Sequence, residues 1–253
     1  MTPGAPIVLG LLFAVGAAAA GDGLPGARAL LLAWHEDPRR IDRARALLEA
    51  AATADPAPET LVELARVWFL TGDFRARGDG ERVEAYMRGS EAARRAVAAA
   101  PDSDRAHLWL AINTGRLAEL RGIVGAVGLL ATLREASATV LRLNPSSVDG
   151  LIVAGGLAAE LPPLLGGDRT RAEALFRRAL AADPHQTGGR LELARLYLAT
   201  RRWRDAGREL QRVVGEPAPT DLPRWTVSDM PRARAMLTDL YERGRLTGPP
   251  QAP

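Results

Sequence analysis

Five prolines divide the chain into units of helix-forming sequence. They follow one another at intervals of 45, 44, 39 and 33 residues and are Pro56, Pro101, Pro145, Pro184 and Pro217. A proline has no backbone N–H and its ring clashes with the preceding turn, so it cannot continue a helix. We therefore expect each proline to end a unit. Alanine and leucine dominate the composition and favour helix, and no stretch alternates polar and apolar residues as a strand would.

The last unit indicates how its two helices pack. Leu193, Ala194 and Tyr197 place a large, a small and an aromatic side chain on one face of a first helix. The second helix carries an apolar face with the spacing i, i+4 and i+7, formed by Ala206, Leu210 and Val213. Small residues let two antiparallel helices approach closely, and the large ones fill the space between them. The unit therefore predicts a helical hairpin.

The same small and bulky pair precedes two other prolines, as Ala44 with Leu48 and Ala172 with Phe176. This pattern resembles the tetratricopeptide repeat (TPR). The resemblance implies an all-α fold, a TPR-like α-solenoid of about five helix pairs plus a C-terminal capping helix over roughly residues 230–243. We expect the helical repeat domain to span residues 21–246, with a disordered tail over 247–253.

Three capping motifs indicate where helices start. Ser146 with Asp149 and Thr170 with Glu173 have the spacing of an N-cap followed by an acidic N3 residue. Ser228 or Asp229, followed by Pro231, predicts the start of the final helix near residue 230.

The first twenty residues are typical of an export signal. Residues 7–20 are almost wholly apolar, and about 14 residues are too few to span a bilayer comfortably. Ala18 and Ala20 form a cleavage site of the A-x-A type. We expect a signal peptide over residues 1–20, cleaved to release a protein of the periplasm or another exported location. An uncleaved N-terminal anchor is the alternative.

Charge and composition exclude several functions. The 33 basic residues are all arginine and face 30 acidic ones, so the pI of about 10.1 reflects a net charge of only +3, and no nucleic-acid partner is expected. The absence of cysteine excludes disulfides, thiolate metal sites and a thiol nucleophile. His35, His107 and His185 form no metal-binding pair, and no serine stands in a nucleophile motif. We predict no enzyme, no metal and no cofactor.

The arginine clusters alternate with acidic residues. One runs over Arg201, Arg202, Arg204 and Arg208, with Asp205 between them. We interpret these clusters as solvated helix surface, and binding of an acidic partner or of anionic lipid headgroups is the alternative.

A more specific resemblance comes from residues 106–111, 141–145 and the block LPPLLGGD at 161–168, followed by Arg171 and Ala172. This block resembles the T-component family of TRAP transporters (TatT-like proteins) and the related regulator of microtubule dynamics family, over roughly residues 60–243. The resemblance implies a periplasmic TPR-like protein with a hydrophobic cavity or pore, associated with a substrate-binding TRAP P-component. Typical T-components are lipoproteins, whereas this chain lacks the N-terminal cysteine that would carry the lipid.

The block also has a direct physical interpretation. Pro162 and Pro163 are expected to stop one helix and stiffen the turn. Gly166 and Gly167 permit a positive φ or a close approach of backbone, and Asp168 suits the N-terminus of the next helix. Two roles remain open for the loop, a structural turn or a cradle for an anionic ligand.

A series of glycines in the third unit is a second candidate for a binding feature. Gly122, Gly125 and Gly128 lie three apart, on one side of a predicted helix. They provide either a slim packing face or the lining of an apolar cavity, with Trp109 in its wall. The candidate residues for binding a ligand or partner are Trp109, Asn113, Gly125, Leu129, Leu161, Leu165, Gly166, Gly167 and Asp168.

Three functions fit these observations. The first is a non-catalytic periplasmic adaptor, similar to a TRAP T-component, that engages a partner protein and an apolar or organic-acid ligand. The second is a carrier of lipid or another apolar ligand that acts alone, and the third is a general scaffold for envelope assembly. A continuous apolar cavity lined by Trp109, Gly125 and Leu161 would favour the first two functions, and a solid core with an arginine-lined concave groove would favour the third.

Overall fold

The computed structural model describes residues 23–247, so the predicted signal peptide and the last six residues lie outside the described part of the chain. Within residues 23–247 the secondary structure is helical, without strands. The helices are α1 (Gly23–Leu32), α2 (Arg39–Ala54), α3 (Pro58–Phe74), α4 (Asp79–Ala99), α5 (Asp104–Leu143), α6 (Val148–Glu160), α7 (Arg169–Ala182), α8 (Thr187–Ala199), α9 (Trp203–Val214), α10 (Leu222–Arg224) and α11 (Met230–Glu242). A 3₁₀ turn (Pro163–Leu165) precedes α7, and a π-helical turn (Trp225–Asp229) joins α10 to α11.

The helices form five pairs and a terminal segment. The pairs are α1 with α2, α3 with α4, the two halves of α5, α6 with α7, and α8 with α9, and α11 packs on α9 at the end of the stack. The five prolines of the repeat pattern each stand in the linker after a pair. The prediction of a TPR-like solenoid with about five pairs and a capping helix is therefore confirmed.

Helix α5 is a hairpin rather than a rod. A straight helix of its 40 residues would be about 60 Å long. Its ends nevertheless meet, because the Asn144 Nδ2 donates to Asp104 Oδ2 at 2.9 Å. The chain reverses at Gly122, whose φ of 65° and ψ of −176° are not helical. The prediction that Gly122 lies on one side of a helix with Gly125 and Gly128 is wrong, since Gly122 is the point where the helix breaks.

Small residues face aromatic rings where paired helices cross. A Cβ atom placed on Gly72 of α3 would lie 2.4 Å from the Tyr86 ring of α4, and one on Gly155 of α6 would lie 2.6 Å from the Phe176 ring of α7. Only a residue without a side chain permits this approach. Each large apolar side chain buried in these layers contributes about 1.5–3 kcal/mol relative to an exposed one.

Two of the predicted helix starts are wrong by one or two residues. Ser147, not Ser146, caps α6 by accepting a hydrogen bond from the Gly150 N–H at 3.2 Å. The Ser146 hydroxyl instead donates to Asn144 Oδ1 in the preceding turn. Thr170 does not begin α7, because Asp168 already caps that helix and leaves Thr170 inside its first turn.

The final helix α11 begins at Met230, as predicted, but helical backbone already starts upstream of it. Asp221 accepts a hydrogen bond from the Arg224 N–H at 3.0 Å and caps α10. Helical backbone then continues without a gap through the π turn into α11. Asp229 stands at the N-terminus of α11 but makes no capping hydrogen bond there, and it is buried, with 1% of its surface exposed. The predicted end, near residue 243, agrees with the structure, in which α11 ends at Glu242.

Candidate functional site

The second pair and the terminal segment meet across the stack. The guanidinium carbon of Arg224 in α10 lies 5.8 Å from the ring centroid of Phe69 in α3. Since two complete pairs and the α5 hairpin separate these residues in sequence, the intervening pairs must curve around a common side. We call this side the inner face and define it by Phe69, Trp109, Arg116, Asp149 and Arg224.

Aromatic rings and cations lie together on the inner face. The Phe69 and Trp109 ring centroids are 5.6 Å apart. The Arg116 guanidinium lies 5.7 Å from the Phe69 centroid, on the same ring that Arg224 contacts. Both contacts are within the range of cation–π attraction. The Arg116 guanidinium is held there by Asp73 Oδ2, which accepts from its Nη2 at 3.1 Å.

Two carboxylates flank Arg224. Asp229 accepts hydrogen bonds from Thr187 Oγ1 at 2.7 Å and from Arg224 Nε at 3.5 Å. Burial nevertheless raises the pKa of Asp229, although Arg224 opposes the shift. Asp149 keeps access to solvent, but protein on both sides of the inner face removes enough water to raise its pKa as well. The inner face therefore offers cations, a carboxylate and the partly exposed ring of Trp109, with the Phe69 ring buried beneath the two arginines.

Among the predicted site residues, Trp109 and Asn113 lie one helical turn apart in α5. Asn113 is fully buried, and its Nδ2 donates to the backbone oxygens of Ala65 at 3.1 Å and Trp109 at 3.0 Å. A Cβ on Gly89 would lie 2.2 Å from Asn113 Oδ1. Asn113 thus joins α3, α4 and α5, and Trp109 is the member of this group that lies on the inner face.

The GGD block forms a tight loop between α6 and α7. Gly166 has a φ of 81°, and a Cβ on Gly167 would lie 1.7 Å from the Leu161 oxygen. The Asp168 carboxylate accepts from the Arg171 N–H at 3.0 Å and caps α7. The amides of Gly166, Gly167 and Asp168 all donate to backbone carbonyls of the chain. The geometric expectations for these residues are confirmed, whereas ligand binding by the loop stays a prediction.

Gly125 and Leu129 lie on the second half of α5, near its tip. Leu129 packs against the core of the first three pairs, and Gly125 faces the side chain of Arg121. The Arg134 guanidinium, further along the same half, donates to the Leu165 carbonyl and ties the hairpin to the GGD loop. The candidate residues thus form three local groups, and their assignment as one ligand cavity stays a prediction.

Two grooves occupy equivalent positions in their repeats. In each, the second helix of one pair and the second helix of the next pair form the two walls, and the first helix of that next pair forms the floor. One has a volume of about 460 Å³ and is formed by α7, α8 and α9, and its floor includes Leu193 and Tyr197. We call it the arginine groove, because Arg177, Arg190, Arg202, Arg208 and Arg212 line it. The tryptophan groove, about 610 Å³, is formed by α2, α3 and α4 over Leu64 and Trp68.

The sequence indicates that the two grooves are equivalent, through a residue spacing that the repeat pattern described above did not include. Leu64, Ala65 and Trp68 have the spacing of Leu193, Ala194 and Tyr197. The cluster of Arg201, Arg202, Arg204 and Arg208 was interpreted as solvated surface. Arg202 and Arg208 are partly exposed as predicted, but both line the arginine groove together with Arg190, which keeps only 13% of its side chain exposed.

The described residues contain no cluster that could hold a metal ion and no helix long and apolar enough to cross a membrane. Two of the three histidines hydrogen-bond locally within residues 23–247. His185 Nδ1 lies 2.7 Å from Glu216 Oε1, and His107 Nε2 lies 2.9 Å from the Pro101 oxygen.

Helical pairs closed by proline, with small residues at their crossings, define a TPR-type repeat protein, and a tetratricopeptide repeat model matches residues 164–226. The model described as regulator of microtubule dynamics protein 1-3 matches residues 32–160, just over half of the 253-residue chain, and the chain belongs to this family. That match starts earlier than the resemblance in the sequence suggested and ends before the GGD block. No curated protein sequence matches the chain.

A solved TPR structure shares the fold. The chain is 22% identical to the thermophilic TPR protein TTC0263 of Thermus thermophilus, with a TM-score of 0.65 over 88% of this chain and 99% of that one. An identity this low shows similarity of fold alone. The chain is also 16% identical to Pseudomonas aeruginosa pilF, with a TM-score of 0.49 over 90% and 95% of the two chains.

Proposed function

We propose that this protein is a non-catalytic scaffold that binds a partner protein along the inner face. The observation that carries the proposal is the contact of Arg224 with Phe69, because it brings the terminal segment and the second pair to one surface. Aromatic and arginine side chains are enriched where protein interfaces bind most strongly. TPR-type architecture supports a scaffold, since stacked repeats create an extended surface to which each pair contributes a few contacts.

The chemistry of the inner face indicates what it recognises. Arg116 and Arg224 flank the aromatic pair Phe69 and Trp109, and Asp149 stands beside Arg224. A partner segment that offers a carboxylate next to an apolar side chain would satisfy both the cations and the rings. Asp149 would favour a donor on the same segment and would oppose a partner with only negative charge.

A finer proposal concerns location and partner. We infer that the protein is exported and acts as an adaptor similar to TRAP transporter T-components, with a substrate-binding P-component as its partner. Support comes from the apolar segment over residues 7–20 and from the GGD block. Typical T-components carry a lipidated N-terminal cysteine, whereas this sequence contains no cysteine.

The test is site-specific crosslinking in cells that produce the protein. The photoreactive residue benzoylphenylalanine replaces Trp109 on the inner face, or, as the matched control, Arg234, which is exposed on the terminal helix α11. We expect a discrete crosslinked protein from position 109 that is absent from position 234. The same crosslink should be lost when Arg224→Gln is added, because that change removes a cation from the inner face.

The outcomes separate the candidate functions. A crosslinked exported substrate-binding protein supports the adaptor similar to T-components, and a different protein supports the general scaffold. Equal crosslinking from positions 109 and 234 refutes the inner face as the binding surface. Native mass spectrometry of the same preparation tests the carrier alternative. If the protein carries a bound lipid and no protein partner, the result supports a carrier and refutes an adaptor.

A further inference from the structure

The arginine groove contains more guanidinium groups than carboxylates. Five arginines line it, contributed by α7, α8 and α9 and by the residue before α9. Three carboxylates pair with them, from Glu173, Asp205 and Glu209. Five positive and three negative charges give the groove a net charge of +2. The whole chain carries a net charge of only +3, so this local excess could not be recognised from the overall composition.

Each carboxylate of the groove is shared by two arginines. Glu173 accepts from Arg177 and Arg202, both at 2.7 Å. Asp205 pairs with Arg202 and Arg208, and its hydrogen bond from Arg202 holds the pKa of Asp205 below its ordinary value. These pairs fix the directions of the guanidiniums without neutralising all of them. The arginines are thus held in place before any ligand arrives.

Glu209 is likewise shared by two arginines. It accepts from Arg190 at 3.0 Å and from Arg212 at 2.9 Å. Arg190 keeps 13% of its side chain exposed, and its Nη2 also donates to the Pro184 oxygen at 2.6 Å. Within the described part of the chain, the buried Arg190 Nε has no hydrogen-bond partner. In this part of the groove two guanidiniums therefore share the hydrogen bonds of one carboxylate.

Apolar side chains form the floor of the groove between these charged rims, with Leu193 and Tyr197 largely buried and Leu180 partly exposed. Leu180 and Leu193 line it beside the ring of Tyr197, and the Arg202 guanidinium lies 4.2 Å from that ring's centroid. The groove volume of about 460 Å³ lies within the range of ligand-binding clefts. In an extended peptide, successive side chains point to opposite sides. A segment that alternates acidic and apolar residues would therefore match the rims and the floor at once.

The tryptophan groove provides an internal comparison. It has the same position in its repeat, but its charged lining residues balance, with Arg88 and Arg95 against Glu49 and Glu91. We propose that the arginine groove, and not the tryptophan groove, binds an acidic extended segment of a partner protein. This inference rests on the proposed scaffold function and adds a second contact outside the inner face. Guanidinium groups suit the segment because their planar forks match carboxylates bidentately.

The test is fluorescence anisotropy with two labelled peptides on the full protein. One peptide alternates glutamate and leucine, and the other replaces each glutamate with glutamine. We expect the glutamate peptide to bind at least about tenfold more tightly, since charged hydrogen bonds are stronger than neutral ones. Its affinity should fall as salt rises from about 50 to 200 mM, because salt screens exposed charges.

Matched double variants locate the binding site. Arg177→Gln with Arg208→Gln removes two exposed guanidiniums and leaves Arg202 to hold both Glu173 and Asp205. We expect this variant to bind the glutamate peptide about tenfold more weakly than the wild type, with an unchanged circular dichroism spectrum. Arg88→Gln with Arg95→Gln, in the tryptophan groove, should bind within about twofold of the wild type.

Several outcomes would overturn the inference. They are equal affinity for the two peptides, wild-type affinity in the Arg177/Arg208 variant, or an equal loss in the Arg88/Arg95 variant. The crosslinking test remains independent of these titrations. If no crosslink forms from the inner face but the peptide binds as expected, the proposed function is refuted and the inference about the arginine groove is not. If the crosslink forms but the peptide does not bind, only the inference about the arginine groove is refuted.

Discussion

Replacing Gly122 with alanine tests how the third pair is formed. The hairpin requires a φ of 65° and a ψ of −176° at this position, a region that essentially only glycine adopts. Another residue held there costs about 1–3 kcal/mol. Alanine also gains about 1 kcal/mol over glycine inside a continuous helix. Gly122→Ala should therefore shift the balance from the hairpin toward a straight α5 by about 2–4 kcal/mol.

A straight α5 has a defined structural consequence. Its ends would be about 60 Å apart, and the hydrogen bond between Asn144 and Asp104 could no longer form within one chain. The same contacts could form between two chains that exchange their C-terminal halves, as in domain swapping. We expect Gly122→Ala to lower the free energy of unfolding of the monomer and to produce a dimer that increases with protein concentration.

The assay combines urea denaturation with size-exclusion chromatography and light scattering. Gly128→Ala is the control, because Gly128 lies in the same hairpin with helical backbone and no atom within 4 Å of an added Cβ. That change should stabilise the monomer by about 0.5–1 kcal/mol. If the Gly122→Ala variant is monomeric and as stable as the Gly128→Ala variant, the chain does not reverse at a strained glycine, and the third pair is not a hairpin that turns at Gly122.

Three further changes test the packing, the ion network and the capping. Gly72→Ala should destabilise the protein by about 1–3 kcal/mol in thermal denaturation, because the added methyl group would overlap the fully buried ring of Tyr86; an unchanged Tm would contradict this close contact. Burial alone would raise the pKa of Glu63, but three arginines together lower that pKa below 4.5. The carboxylate of Glu63 therefore makes its full contribution to stability above about pH 4.5, and this contribution is lost as the pH falls through the folded-state pKa. Glu63→Gln should therefore lose most stability near pH 7 and progressively less as the pH falls below about 4.5 in urea titrations, and a loss independent of pH would argue against the ion network. Asp168→Ala should cost about 1 kcal/mol and Asp168→Ser much less, measured by urea denaturation, whereas equal losses would exclude a capping role.

Much of the fold followed from local sequence. The prolines located the ends of the pairs, and the pattern of Leu193, Ala194 and Tyr197 predicted the face on which the fifth pair closes. The GGD loop was also predictable, because the preferences of Gly166 and Asp168 depend on backbone geometry within a few residues. The exact capping residues were not, since neighbouring Ser146 and Ser147 have equal intrinsic preference and the Asn144 side chain selects between them.

The candidate sites were much less accessible to sequence reasoning. Trp109 was singled out, but the residues that share its surface come from other pairs, and Arg224 was not recognised at all. In the sequence, part of the arginine groove belonged to a cluster interpreted as solvated surface, and other lining residues, such as Arg177, were not singled out at all. Charge counted along the chain was nearly balanced, whereas the excess appears when side chains from three helices are counted at one place.

The sequence by itself determined that the chain forms helices, that these helices pair, and where each pair ends. These properties depend on the spacing of side chains along one helix and on proline, so they can be recognised one unit at a time. Only the tertiary structure decided that α5 reverses at Gly122, that Arg224 reaches Phe69, and that five arginines meet in one groove. The reversal depends on which of the several glycines of α5 adopts a non-helical backbone. The other two features depend on the angles at which successive pairs pack, and such angles accumulate over the whole stack from contacts that no single unit contains.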